Sequence, residues 1–196
     1  MNEQPSTKNN ITDHARSLFA RHGYDGFTMR SLAKACDVSL SSIYHYFEDK
    51  DVLLKSVYDM TNTQLGVARA DLALQSTATE DLRERIKFQF DHAEEILFVL
   101  RFYLHFRTTF VKQTNGYLTE KAYRHISEVL QRGVDTKEFY LTRSVEEEAK
   151  VIAHSINGFV LEYFPESPTP DEYNNVVDSI HSFMVRSLTN KAAIAA

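Results

Sequence analysis

The stretch VSLSSIYHYFEDKDVL, residues 38–53, sets three serines, two tyrosines and a histidine among apolar residues spaced as in a helix. Ile43 and Phe47, at i and i+4, share one side of such a helix, and Ser39 stands where an N-cap is needed. Leu40, Ser41, Tyr44 and His45 then fall on the outer side. A short helix with so many hydrogen-bonding groups outside is matched to a polar partner. Hydroxyls near a helix N-terminus can approach base edges, while tyrosine, histidine and free N–H groups can grip phosphate oxygens. Lys50 opens the next helix, where a cation opposes the dipole, so an anion beside it is expected; a phosphate supplies one.

Upstream, Ile11, Ala15, Leu18 and Phe19 form an apolar stripe that stops at Gly23 and Gly26, which predicts helix one. Thr28 is placed to cap a second helix with Leu32, Ala33 and Cys36 inside. Asp37 and Val38 make a tight turn into the third. Downstream, Asp49 caps a long fourth helix through Leu53, Val57, Leu65 and Ala68. Three short helices, the last two about three residues apart, have the spacing of a helix-turn-helix.

Composition bounds the rest. With 196 residues and 43% hydrophobic content the chain can bury a core, and apolar spacings of three and four throughout predict an all-α fold. The single cysteine, Cys36, excludes an intramolecular disulfide and a multi-cysteine zinc site, and its position reads as packing. No run of about 18 apolar residues occurs and MNEQPSTKNN lacks a signal-peptide pattern, so no membrane partner and a cytoplasmic location are expected. Up to residue 50 there are six Lys/Arg and six Asp/Glu; the net charge of −5 belongs to the remainder. Any DNA contact therefore depends on where the few cations stand.

The run GYDGFTMRSLAKACDVSLSSIYHYFEDKDVLL, residues 23–54, resembles the DNA-binding domain of the TetR family of bacterial transcriptional regulators. Gly23, Thr28, Leu32, Ala33, Val38, Ser39, Ile43, Tyr44, Phe47, Lys50 and Leu53 fill the family's characteristic places. The resemblance covers roughly residues 8–60. It implies an all-helical homodimer that binds a palindromic double-stranded operator and lets go when a small molecule enters the C-terminal domain. It also implies phosphate contacts from Thr28, Ser39, Tyr44 and Lys50, with base reading by residues at the start of helix three, where Leu40 and Ser41 stand. Two departures stand out. Asp37 replaces the family's turn glycine and can still adopt a left-handed conformation. Leu40 and Ser41 replace a common lysine and glycine, and Leu40 can lie against a thymine methyl.

Residues 79–110 hold Leu82, Ile86, Phe90 and Leu97 at helical spacing, then Phe98, Phe102, Tyr103, Phe106 and Phe110. A helix apolar on several sides is either deeply buried or lines a cavity. Phe98, Phe102, His105, Phe106 and Tyr123 are the candidate ligand-binding residues, with Arg107 a further polar candidate. Ala149, Ile152, Ile156, Phe159 and Tyr163, then Tyr173, Val177, Ile180, Met184 and Leu188, form two stripes separated by PESPTP, a helical hairpin. By the resemblance, Ile152, Ile156, Phe159, Tyr163, Val177, Ile180 and Met184 are dimer-interface candidates, and Gly158 marks a close helix crossing.

No G-x-S-x-G, Gly-rich phosphate loop or H-E-x-x-H occurs, and no catalytic residue, metal or cofactor is assigned. Asp91, His92 and Glu95 are the nearest metal-like group, with His92 and Glu95 expected on one helical face, and a solvated surface is the reading preferred for them. The sequence is read as a DNA-binding domain over residues 1–55, motif 28–47, and a ligand-binding and dimerisation domain over 56–196. The expected function is a ligand-responsive transcriptional repressor, not an enzyme, with an unknown small-molecule effector. The alternative is a helical small-molecule-binding or adaptor dimer that no longer binds DNA.

Overall fold

The computed structural model describes residues 7–114, 117–163 and 169–190, with side chains described outside 108–122. The described residues are helical, without strands: α1 (Thr7–Gly26), α2 (Met29–Ala35), α3 (Leu40–Tyr46), α4 (Lys50–Ala70), α5 (Ala78–Asp91), α6 (Ala93–Thr114), α7 (Tyr117–Asp135), α8 (Val145–Tyr163) and α9 (Pro170–Leu188). None of these helices is long and apolar enough to cross a membrane. The chain forms two compact units, Met1–Ala68 with Glu94–Phe110, and Arg69–Ala93 with Val111–Ala196. A boundary at residue 55 falls inside α4, which contributes to both units.

In the first unit α2 packs on α1 and on α3. Ile11, Ala15, Phe19, Leu32, Ile43, Leu53, Leu54 and Val57 are fully buried at its centre. Burial of each large aliphatic or phenyl side chain is worth about 1.5–3 kcal/mol. Leu18 is only half-buried, at the margin of the stripe. Gly23 adopts φ +68°, kinking α1 before its last turn, a conformation that favours glycine. The α6 segment of this unit completes the core: Phe98 meets Phe19 edge-on at 5.3 Å and Phe102 stacks on Tyr58 at 4.2 Å.

In the second unit α5 packs on α7, α8 and α9, and α7 packs on α8. The N-terminus of α5 is closed twice. Thr77 caps it in a capping box with Glu80, and the Glu138 carboxylate accepts from the N–H groups of Ala78 and Thr79 at 3.1 and 3.2 Å. Asp81, 1% exposed, pairs with Arg132 at 2.5 Å, and Arg132 also donates to the Gln75 carbonyl. Gly133 lets Phe139 lie against α7: a Cβ there would stand 2.0 Å from the Phe139 ring.

Two expectations need correction. α5 ends at Asp91, His92 is its C-cap and α6 begins at Ala93, so His92 and Glu95 do not share one helical face. Asp91 is held by Lys87 and Tyr173, His92 lies against Phe88 and Glu95 faces Arg16. No group of described His, Cys, Asp and Glu side chains could hold a metal. The second correction concerns α8 and α9. Ile152, Ile156, Val177, Ile180 and Met184 are each at most 5% exposed within a single protomer. Periodicity showed that they share faces; those faces serve the protomer's own core. Phe159 stays 38% exposed and Tyr163 half-buried, and the outward apolar residues not foreseen are Val151, Leu161 and Phe183. Within PESPTP, residues 165–168 lie outside the described residues, and Thr169 and Pro170 open α9.

Candidate nucleic-acid interface

Local chemistry fixes the α2–turn–α3 unit. Thr28 is extended and its hydroxyl accepts from the Ser31 N–H at 3.0 Å, while Ser31 Oγ accepts from the Thr28 N–H at 3.1 Å, a reciprocal box. At the other end Asp37 takes φ +52°. Its N–H donates to the Lys34 carbonyl and the Val38 N–H to that of Ala33, the paired bonds of a Schellman stop with aspartate in the left-handed place. Cys36 is buried at this stop, and burial pushes its thiol up from the ordinary range, which accords with packing.

Ser39 then caps α3, accepting from the Ser42 N–H at 3.0 Å. Its hydroxyl also lies 2.8 Å from Ser41 Oγ and 2.7 Å from Ser42 Oγ. The three serines thus form one preordered hydroxyl cluster. Ile43 and Phe47 hold the helix from beneath at 0% and 3% exposure, as the spacing predicts. Ser41, Tyr44 and His45 are exposed and Leu40 is half-buried, so the outer side carries the expected groups. Tyr46 is exposed too and meets His45 edge-on. Thr7, Ser41, Ser42, His45 and Tyr46 line an open depression; Thr7, Ser42 and Tyr46 were not among the sequence candidates.

Lys50 is placed differently from a waiting cation. Its ammonium donates to the Tyr24 carbonyl and lies 3.6 Å from the centre of the Tyr24 ring. Partial burial pushes its pKa down, opposed by Asp25 and Asp51. Carbonyl and ring therefore supply much of the negative potential that the helix start requires. Tyr24 in turn donates to Asp51, a bond that is the main cause of its pKa being pushed up to about 12. Asp49 caps α4 through the Val52 N–H at 2.8 Å. Sequence reasoning passed over Arg30 and Lys34, exposed in the first and last turns of α2.

The candidate ligand residues are divided. Phe98, Phe102, His105 and Phe106 belong to the first unit, whereas Tyr123 belongs to the second, with the Lys150 ammonium 5.4 Å from its ring. Phe98 and Phe102 are buried in the ring stack described above; Phe106 packs on Phe102 at 4.5 Å. His105 is exposed and stacks on Tyr24 at 3.7 Å. Arg107 is exposed, and the side chain of Phe110 lies outside the described residues.

Residues 11–57 match the family model described as bacterial regulatory proteins, tetR family. Over 103 residues the chain is 30% identical to the "Probable HTH-type transcriptional regulator YttP" of Bacillus subtilis, covering 49% of this chain and 50% of that protein. Over 54 residues it is 37% identical to the biofilm operon icaADBC negative transcriptional regulator IcaR of Staphylococcus aureus, covering 28% of this chain and 27% of that protein. The chain thus matches half the length of the first relative and about a quarter of the second. A transcriptional regulator from Rhodococcus sp. Rha1 has the same fold at TM-score 0.71 and 14% identity, covering 94% of this chain and 99% of that one. So does FadR from Bacillus subtilis, solved in complex with stearoyl-CoA, at TM-score 0.67 and 20% identity, covering 90% of this chain and 96% of that one. The proteins that this chain resembles are transcriptional regulators and not enzymes. Residues 11–57 thus carry a helix-turn-helix that matches the TetR family of bacterial transcriptional regulators, and the helical fold shared with solved regulators extends over the rest of the chain.

Proposed function

We propose that the protein is a cytoplasmic, homodimeric repressor that binds a palindromic operator through α3 and is released by a small molecule. The carrying observation is the outer side of α3, where Ser41, Tyr44 and His45 are exposed above a buried Ile43. Exposed hydroxyls beside a helix N-terminus suit contacts with base edges and phosphates. In this reading Ser41 and Leu40 read bases with His45, Thr28, Ser39 and Tyr44 position the backbone, and Lys50 contributes by holding α1 against the start of α4. Residues 1–55 form the DNA-binding domain, and 56–196 the effector and dimerisation domain. Two copies place their recognition helices about 34 Å apart, one turn of DNA. Because α4 supplies residues to both units, an effector that displaces its C-terminal end alters the heads and lowers operator affinity.

The test is selection of bound sequences from a random duplex library, read at two salt concentrations. An enriched palindrome is expected, with Tyr44→Ala weakening binding about 5–150-fold, equivalent to about 1–3 kcal/mol. Absence of enrichment from an intact dimer, with and without cell-extract metabolites, would overturn the repressor reading and favour a dimer that has lost DNA binding.

A further inference from the structure

Within the second unit, the buried Arg85, Gln89 and His125 meet the half-buried Arg69, and neither arginine makes an ion pair with an acid among the described residues. Arg85 and Gln89 stand at i and i+4 on α5, on the side that also carries Leu82 and Ile86. Arg69 reaches them from the last turn of α4, its carbonyl accepting from Arg85 Nη1 at 3.2 Å and its guanidinium lying 5.4 Å from the Phe88 ring centre. His125, on α7, approaches Gln89 with its Nε2 3.5 Å from Gln89 Nε2. Gln89 is 2% exposed, His125 7% and Arg85 9%.

The hydrogen-bond accounting is lopsided. The Nε groups of Arg69 and Arg85, His125 Nδ1 and Gln89 Oε1 are buried without a partner among the described residues. With the Gln89 amide in this orientation its Nε2 donates, His125 Nε2 accepts and the proton of the neutral imidazole sits on Nδ1; turning the amide over would pair Oε1 with His125 and leave both arginine Nε groups unmet. Three of the four orphans are therefore N–H donors, and two of those belong to cations. Burial and, second to it, the charge of Arg85 push the Arg69 pKa down to about 10. Burial first, then both arginines, keep His125 neutral, with its pKa pushed down to about 3. Buried donors are almost always satisfied, and buried charges are kept where something pairs with them. Arginine forks suit one class of partner, a planar or tetrahedral oxyanion.

We propose that Arg69, Arg85, Gln89 and His125 form a binding site for the carboxylate or phosphate group of a small molecule. This deepens the effector-responsive reading above by assigning the effector an anionic group, and it rests on that reading only for the link to DNA release. Arg69 lies in the last turn of α4, so an anion drawn to it acts on the helix that also serves the first unit.

The experiment uses the full chain without DNA. Thermal unfolding is followed with decanoate, inorganic phosphate, decan-1-ol and chloride at matched ionic strength, for the wild type, Arg85→Met and His125→Phe. One oxyanion is expected to raise the wild-type Tm by about 5–10 °C at a hundredfold excess over its Kd, with decan-1-ol and chloride giving no such rise. The shift should be lost in Arg85→Met, and the ligand-free Arg85→Met protein should melt no lower than the wild type, because it loses an unbalanced charge. A response to decanoate identifies a carboxylate site; a response to phosphate identifies a phosphate site. Silence from both probes, an equal response in all three proteins, or a ligand-free Arg85→Met protein that melts well below the wild type overturns the proposal. If His125→Phe fails to fold it is replaced by Gln89→Leu, which keeps both charges and must still weaken the response. These outcomes stand apart from operator selection: anion binding without operator enrichment rejects the repressor reading, and the reverse rejects this site alone.

Discussion

In the first unit the hydroxyls of Thr28 and Ser39 each meet an N–H three residues away, and the polar groups of α3 face outward. In the second, Asp81 finds Arg132 and the start of α5 finds Glu138, partners more than fifty residues distant, while Arg69, Arg85 and His125 keep buried donors unmet. The helix-turn-helix of the first unit is specified by neighbours in sequence, and the charged interior of the second by neighbours in space. Among the described residues, the first presents a polar surface and buries two isolated groups without a hydrogen-bond partner, Arg16 Nε and Thr61 Oγ1, where the second gathers four. The second is held by a few distant pairs and retains unbalanced charge inside, which is the condition a ligand can exploit.

The largest test of that contrast pairs Arg132→Ala with Thr28→Ala. Removing Arg132 leaves the Asp81 carboxylate buried with the Gln75 N–H as its remaining donor among the described residues. A loss of about 3 kcal/mol is expected, lowering Tm by about 6–12 °C, because breaking a buried pair strands its partner. Thr28→Ala removes one cap and should cost about 1 kcal/mol. Thermal unfolding by circular dichroism compares them. Equal losses would erase the distinction between local and long-range specification.

The same distinction explains what could be read from the sequence. Caps at Thr28, Ser39 and Asp49, the left-handed Asp37 and the inward pair Ile43 and Phe47 depend on residues a few positions apart, and all were legible. Burial on α8 and α9 was half-legible: spacing put Ile152 with Ile156 and Val177 with Ile180, but spacing does not say what covers a stripe. The aromatic run of α6 was legible as apolar excess; that Phe98 belongs beside Phe19 is a contact across 79 positions. Gly133 beneath Phe139 and Glu138 at the start of α5 leave no short-range signature. The arginine cluster did leave one. Asp81, Arg85 and Gln89 recur every four residues, each three positions after Ala78, Leu82 or Ile86, and so fall on the apolar side of α5.

A middle-sized effect comes from pH. His125 is neutral in the fold, so the unfolded chain alone takes up a proton as pH falls below about 6.5. The stability it carries is intact above that pH and is lost progressively down to about 3. Between pH 7 and pH 5 the ligand-free protein should lose about 2 kcal/mol through this group. Urea unfolding at the two pH values, for the wild type and His125→Gln, isolates the term, since other titrating groups cancel in the comparison. An unchanged pH dependence in the variant would place His125 in a wetter, less cationic setting than the core cluster described here.

The smallest expected change sharpens the question of what meets the second unit from outside. Gly158 lies exposed in α8, and a Cβ added there meets nothing within 4 Å in the protomer. Within one chain, Gly158→Ala should therefore stabilise α8 by about 0.5–1 kcal/mol, because alanine loses less backbone freedom in a helix. The proposed dimer gives the opposite sign in a different measurement. The exposed Phe159 beside Gly158 and the more exposed Phe183 on α9 offer apolar surface that the protomer does not cover. If a second copy's helix crosses close to this glycine, the added methyl separates the backbones and dimer dissociation rises, while each protomer melts higher. Sedimentation across a dilution series reads the first quantity and urea unfolding the second. Both rising together locates the crossing at Gly158; a variant that dimerises like the wild type moves the interface to another part of α8 and α9.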